Sequence, residues 1–178
     1  SIGHGALEVT PIQMASFAAA VGNGGTFYRP FLLKNREVRD GVEEVERAPE
    51  VLRKIPLKSS TLEVVKEAMW RVVNRGGTGT RAMIPGKDVC GKTGTAQVVK
   101  ASAGVKSNRL PEAIRDNAWF VGFAPRDHPR IAFAIFVEHG GYGGETAAPI
   151  AQQVLLKFFE KEDGRQEPTQ VARATQHP

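Results

Sequence analysis

Apolar and polar positions alternate along this chain in three distinct rhythms. From Ile12 to Val21 nearly every residue is apolar or Ala. Thr10 stands before this run as an N-cap, Pro11 suits the first helical position, and Gln13 lies three residues after the cap, which together spell a capping box. Gly22-Asn23-Gly24-Gly25 ends the helix. Because the run is apolar almost all round, it predicts a helix buried on more than one side. A second helical rhythm places Leu62, Val65, Met69 and Val72 on one face, with Ser60 as its start, Glu63 as capping partner and Arg75-Gly76-Gly77 as its stop. A third helix is predicted over about Ala147 to Lys161, with Pro149 in its first turn and Ile150, Val154, Leu155 and Phe158 as its packing face.

Period-two and continuous apolar runs predict strands at Val89 to Val99, Ala118 to Ala124 and Ile131 to Glu138. The last two are joined by Pro125 to Arg130, a link short enough for antiparallel neighbours. Both faces of Ile131 to Val137 are apolar, so that strand should be covered on both sides. Thr26 to Val45 reads as short extended pieces around a charged turn near Asp40-Gly41. Gly76 to Thr80 is a glycine-threonine loop suited to close backbone approach. Lys100 to Asp116 is polar and reads as a loop, and Asp163 to Pro178 as a disordered tail after a domain over 1–162. The pattern is α/β of the α+β type: helices packed on an antiparallel sheet.

Bulk properties narrow this little. The chain has 178 residues, 41% hydrophobic and 24% charged, which suits one globular domain. No apolar run reaches the length of a bilayer span. Ser1 to Gly5 lacks a basic, apolar leader, and the abrupt opening suggests a piece of something longer. The net charge is +5, but Lys and Arg are scattered, with no dense basic block to read nucleic acid. One cysteine, Cys90, excludes an internal disulfide, and His4, His128, His139 and His177 lack ligand spacing, so no metal or cofactor is expected.

The chemistry concentrates in Gly91 to Gln97, GKTGTAQ. With Gly86 it completes a formal P-loop, Gly86, four residues, then Gly91-Lys92-Thr93. A P-loop needs a helix directly after Lys-Thr to present its N–H groups to phosphate. Here Gly94-Thr95-Ala96-Gln97-Val98-Val99 follows, which favours strand over helix. The other reading is the K-T-G signature of serine acyl-enzymes. On a strand, Lys92, Gly94 and Ala96 face one way and Thr93 and Thr95 the other. Lys92 brings a cation, Gly94 leaves room for a peptide at the strand edge, and a Thr hydroxyl suits a carboxylate.

Five segments, SIGHGALEVTPIQMASFAAAVGNGGTFYRP, GGTGTRA, CGKTGTAQV, NAWFVGFAP and GGYGGETAAPIAQQV, resemble in order the transpeptidase domain of class B penicillin-binding proteins, and within them the elongation type. The resemblance implies a five-stranded antiparallel sheet with helices on both faces. It also implies a serine that attacks the D-Ala-D-Ala bond of a stem peptide and is trapped by β-lactams. Lys92, Thr93 and Gly94 match the third active-site motif, and Thr95 the position that completes the oxyanion hole and binds the carboxylate. A cell-wall glycosyltransferase and elongation complex, and the periplasmic face of the bacterial inner membrane, are implied with it.

The departure from the family is in the nucleophile. Ser1, Ser16, Ser59, Ser60, Ser102 and Ser107 all lack a Lys three residues later, and no S-x-N occurs. The incomplete fold and absent serine predict a fragment inactive alone. A non-catalytic assembly module, docked through its open sheet edge, is the alternative reading. Around the motif, Cys90, Trp119 and Phe123 read as core, His139 as structural, and Tyr142, Thr78 and Thr80 as the rim of a cleft.

Overall fold

The computed structural model describes residues 7–32, 35–38, 42–46, 48–98 and 110–166. Three helices, α1 (Pro11–Gly22), α2 (Ser59–Asn74) and α3 (Gly143–Gln166), surround a meander of β5 (Cys90–Ala96), β6 (Asn117–Ala124) and β7 (Ile131–Val137). The strand order is β5-β6-β7, antiparallel throughout. Two small pairs lie apart from it: β1 (Thr26–Tyr28) with β4 (Val51–Lys54), and β2 (Asn35–Val38) with β3 (Val42–Glu46). The expected turn at Asp40-Gly41 and most of the loop expected over Lys100 to Asp116 lie outside the described residues. The end of that loop, Glu112–Ile114, forms a short 3-10 turn.

The sheet divides the core in two because its side chains alternate. On one face Ala118, Phe120 and Phe133 pack against Ala147, Ala148, Ala151, Leu155 and Phe159 of α3, with Val73, Ala82, Ile84 and Val89 closing the flank. On the other face Cys90 and Phe123 meet Val21, Met69 and Trp70. Cys90 is fully buried, as expected of a small core residue, and burial pushes its thiol up to about 12.

The capping box of α1 forms as read: the Thr10 hydroxyl accepts from the Gln13 N–H at 3.3 Å, and the Gln13 side chain accepts from the Thr10 N–H at 2.8 Å. The all-round burial of α1 does not. Ile12 is 57% exposed and Phe17 53%, and only the C-terminal end, from Ala18 to Gly22, is buried. The helix rests its C-terminal half on the sheet and leaves Ile12 and Phe17 half-exposed. The start of α2 differs as well. Its N-cap is Lys58, with no side-chain capping bond, and Glu63 instead accepts from Lys66 at 3.1 Å. Val65 is exposed, and Lys66, Met69 and Val73 join Leu62 on the inner face.

α3 corrects three expectations. It starts four residues early, at Gly143, so Pro149 is the seventh residue rather than part of the first turn. A proline there leaves the carbonyl four residues back without its helical donor. That carbonyl is Glu145's, and the Arg81 guanidinium donates to it at 3.1 Å. The packing face is also shifted: Leu155 and Phe158 pack as expected, but Ile150 and Val154 are exposed, and the alanines at 147, 148 and 151 are buried in their place. Small side chains let α3 lie close to the sheet, so the face is chosen by fit rather than by hydrophobicity. Finally, the helix runs to Gln166, so Asp163 to Gln166 are helical and not tail; residues 167–178 lie outside the described residues.

β7 lies between α1 and α3, and so is covered on both faces as expected, although Phe136 is 39% exposed at its end. Its far edge has no hydrogen-bonded partner strand among the described residues.

Candidate active site

Lys92, Thr93, Gly94 and Thr95 sit in the middle of β5, at the opposite edge of the sheet from β7. Their cross-strand partners are Val121, Phe120, Trp119 and Ala118. Strand continues from Gly91 through Ala96, with no helix after Lys92-Thr93, so the N–H array a phosphate would need is missing. The P-loop match is a coincidence of letters.

A hollow opens on each side of β5. The larger, about 580 Å³, is lined by all four motif residues, by Trp119 and Phe136, and by Leu7, Val9 and Met14 from the approach to α1. The smaller, about 420 Å³, is lined by Thr78, Arg81, Thr93, Tyr142 and the first turn of α3. Thr93 is the motif residue common to both.

Lys92 is exposed, and its ammonium donates to the Thr93 carbonyl at 2.7 Å. The Thr93 and Thr78 hydroxyls lie 2.7 Å apart. Gly94 faces Trp119 so closely that a Cβ would fall 3.1 Å from the Trp119 Cβ. The glycine makes room for the indole as well as for any ligand at the edge. Trp119 packs against Phe136, with ring centroids 4.7 Å apart and planes tilted by 48°. It is half-buried and lines the larger hollow, so it is wall rather than the core residue the sequence suggested; Phe123 is core.

The seat of α3 fixes this geometry. A Cβ on Gly143 would fall 2.1 Å from the Trp119 carbonyl oxygen and 2.6 Å from that of Gly94. Only glycine lets the helix start against the backbone of β5 and β6. The glycine-threonine loop closes from the other side, with Thr80 Oγ1 donating to the Gly77 carbonyl at 2.5 Å.

Tyr142 and Thr80, read from sequence as rim, line the smaller hollow. His139 is structural: its N–H donates to Asn117 Oδ1 at 2.8 Å, and its Nδ1 lies 3.2 Å from the Arg115 carbonyl. Arg81 and Glu145 escaped sequence reasoning, because they carry no motif and reach the site only when α3 folds against the loop. Of the described serines, Ser16 lies in α1 and Ser59 and Ser60 in α2, and none lines either hollow.

The model of the penicillin-binding protein transpeptidase domain matches residues 1–156. The chain belongs to that family. It is 39% identical over 161 residues to the peptidoglycan D,D-transpeptidase MrdA of Acinetobacter baumannii, covering 87% of this chain and 23% of that protein. It is 34% identical to MrdA of Haemophilus influenzae, covering 86% of this chain and 24% of that one. The structure of penicillin-binding protein A from Mycobacterium tuberculosis, as its ceftriaxone acyl-enzyme complex, superposes with a TM-score of 0.70 at 28% identity, over 86% of this chain and 33% of that one. The match is to the class B, penicillin-binding protein 2 type, and it extends over most of the chain. The chain spans about a quarter of the length of the curated relatives it matches. The mixed fold expected from sequence, an antiparallel sheet with helices packed on it, is the fold seen, with three strands of the main sheet present among the described residues.

Proposed function

We propose that this chain forms the carboxylate-binding and oxyanion side of an elongation-type peptidoglycan D,D-transpeptidase. Such an enzyme cross-links stem peptides ending in D-Ala-D-Ala through a serine acyl-enzyme, and β-lactams acylate the same serine. The observation that carries the reading is the position of Lys92 to Thr95 on an edge strand flanked by two hollows. An extended peptide laid along that edge continues the sheet, with its ends running into the hollows.

The residues then take distinct roles. Lys92 brings a positive charge and a proton donor to the face shared with Trp119. The Thr95 N–H points to the oxyanion of the tetrahedral intermediate, where a fixed donor gains strength as charge develops. The Thr93 and Thr95 hydroxyls receive the substrate carboxylate. The serine itself is not among the 178 residues, so the chain alone does not acylate. A glycosyltransferase partner, the elongation complex and the periplasmic face of the inner membrane belong to the same proposal.

Labelling with a fluorescent penicillin tests it. The chain alone stays unlabelled. The domain completed by in-frame coding sequence that supplies an S-x-x-K serine becomes labelled, and Lys92→Ala in that domain slows acylation by about 10²–10³-fold. A completed domain that never labels sinks the reading.

A further inference from the structure

We infer that Arg81 is a specificity-determining residue of this site: from the wall of the smaller hollow it reads the terminal carboxylate of the peptide or β-lactam by charge. The inference rests on the transpeptidase reading for the identity of the ligand, but its observations are separate from the K-T-G motif.

Three features of the smaller hollow converge on an anion. First, Arg81 is exposed at its wall and forms no ion pair among the described residues; one N–H goes to the Glu145 carbonyl, and a guanidinium carries five donors. Second, two hydroxyls 2.7 Å apart share one hydrogen between them, so the Thr78–Thr93 pair has a second hydrogen to give to an outside acceptor. Third, α3 begins in this hollow, and only its third and fourth N–H groups, of Glu145 and Thr146, turn back to the Tyr142 carbonyl. Those of Gly143 and Gly144 precede the first intrahelical bond. Glu145 lines the same hollow and works against an anion there, which makes the balance of charge at Arg81 decisive.

The position of Arg81 is built, not incidental. It stands on the 3-10 turn Thr80–Ala82, whose Ala82 is fully buried, and it is pinned to α3 through the carbonyl that Pro149 leaves open. One side chain thus couples helix, loop and ligand.

The test compares wild type, Arg81→Gln and Arg81→Lys in the completed domain. Gln keeps an amide donor for the Glu145 carbonyl and removes the charge; Lys keeps the charge and loses the planar fork. Acylation rates are measured with benzylpenicillin and with its methyl ester. Loss of a charge-assisted bond is expected to slow the free acid by about tenfold to a hundredfold in Arg81→Gln and leave the ester nearly unchanged, with Arg81→Lys between. Equal slowing of acid and ester makes Arg81 a merely structural residue and overturns the inference, as does no slowing of either.

Tryptophan-fluorescence titration with N-acetyl-D-Ala-D-Ala and its C-terminal amide separates the two readings. If wild type fails to acylate yet prefers acid over amide in an Arg81-dependent way, the transpeptidase reading falls and Arg81 stands. If neither peptide binds, or the preference survives Arg81→Gln, Arg81 falls whatever the acylation shows.

Discussion

Single residues hold this site through contacts that forbid substitution or hide reactivity. Gly143 is the tightest: Gly143→Ala forces a methyl onto two backbone oxygens and is expected to cost about 1–3 kcal/mol or more, read as a lowered urea midpoint of the completed domain. A midpoint equal to wild type means the helix start has slack. Cys90 is inert for the opposite reason, enclosure. Its thiol is pushed by burial from the ordinary 9.0 up to about 12, against the weaker pull of Arg126 and Lys66. With the folded value raised, its contribution to stability is intact below pH 9 and is lost as pH rises towards 12. Native protein at pH 8 should therefore react with a thiol reagent far more slowly than urea-unfolded protein; equal rates would show Cys90 accessible. Cys90 could be read as a core residue from its place on an apolar stretch, although Val21, Met69 and Phe123, which bury it, come from three other elements. Arg81 and Glu145 could not be read as site residues, since the carbonyl that joins them is opened by Pro149 four residues further on.

Among the elements, the strands were the most legible and the helix faces the least. A strand residue can lie only on one face or the other, so the three strands of the meander follow from the apolar pattern, whereas their register and the pairing of β5 with β6 do not. A helix must choose an arc, and α3 packs Ala147, Ala148 and Ala151 together with Leu155 and Phe159 against Phe120 and Phe133, leaving Ile150 and Val154 outside. That choice is measurable. Leu155→Ala is expected to destabilise by about 2–5 kcal/mol, and Val154→Ala by under about 0.5 kcal/mol, by denaturant titration of the completed domain. Comparable losses would show Val154 packed alongside Leu155, as the sequence predicts. The cap of α1 was legible because a capping box is local; its half-exposed flank was not, because exposure depends on what lies beside it.

At the scale of the whole molecule, β7 ends the sheet as an apolar strand with an open edge among the described residues, and α1 shows Ile12 and Phe17 to solvent. Open edges of this kind invite pairing with another chain. The isolated chain is expected to sediment as concentration-dependent oligomers and to melt without a sharp transition; a monomer with one cooperative transition would show that these residues fold by themselves. The class of fold was legible from sequence, whereas the exposure of Ile12 and Phe17 on α1 was not. The clamp at the start of α3 has a consequence for how such a site diversifies. Gly143 and Gly144 are locked against β5, β6 and the Thr78 carbonyl, so neither tolerates change, while Tyr142 and Arg81 beside them project into the hollow. Under the proposed function, change in ligand recognition is thereby channelled into those two side chains, with the K-T-G strand left untouched.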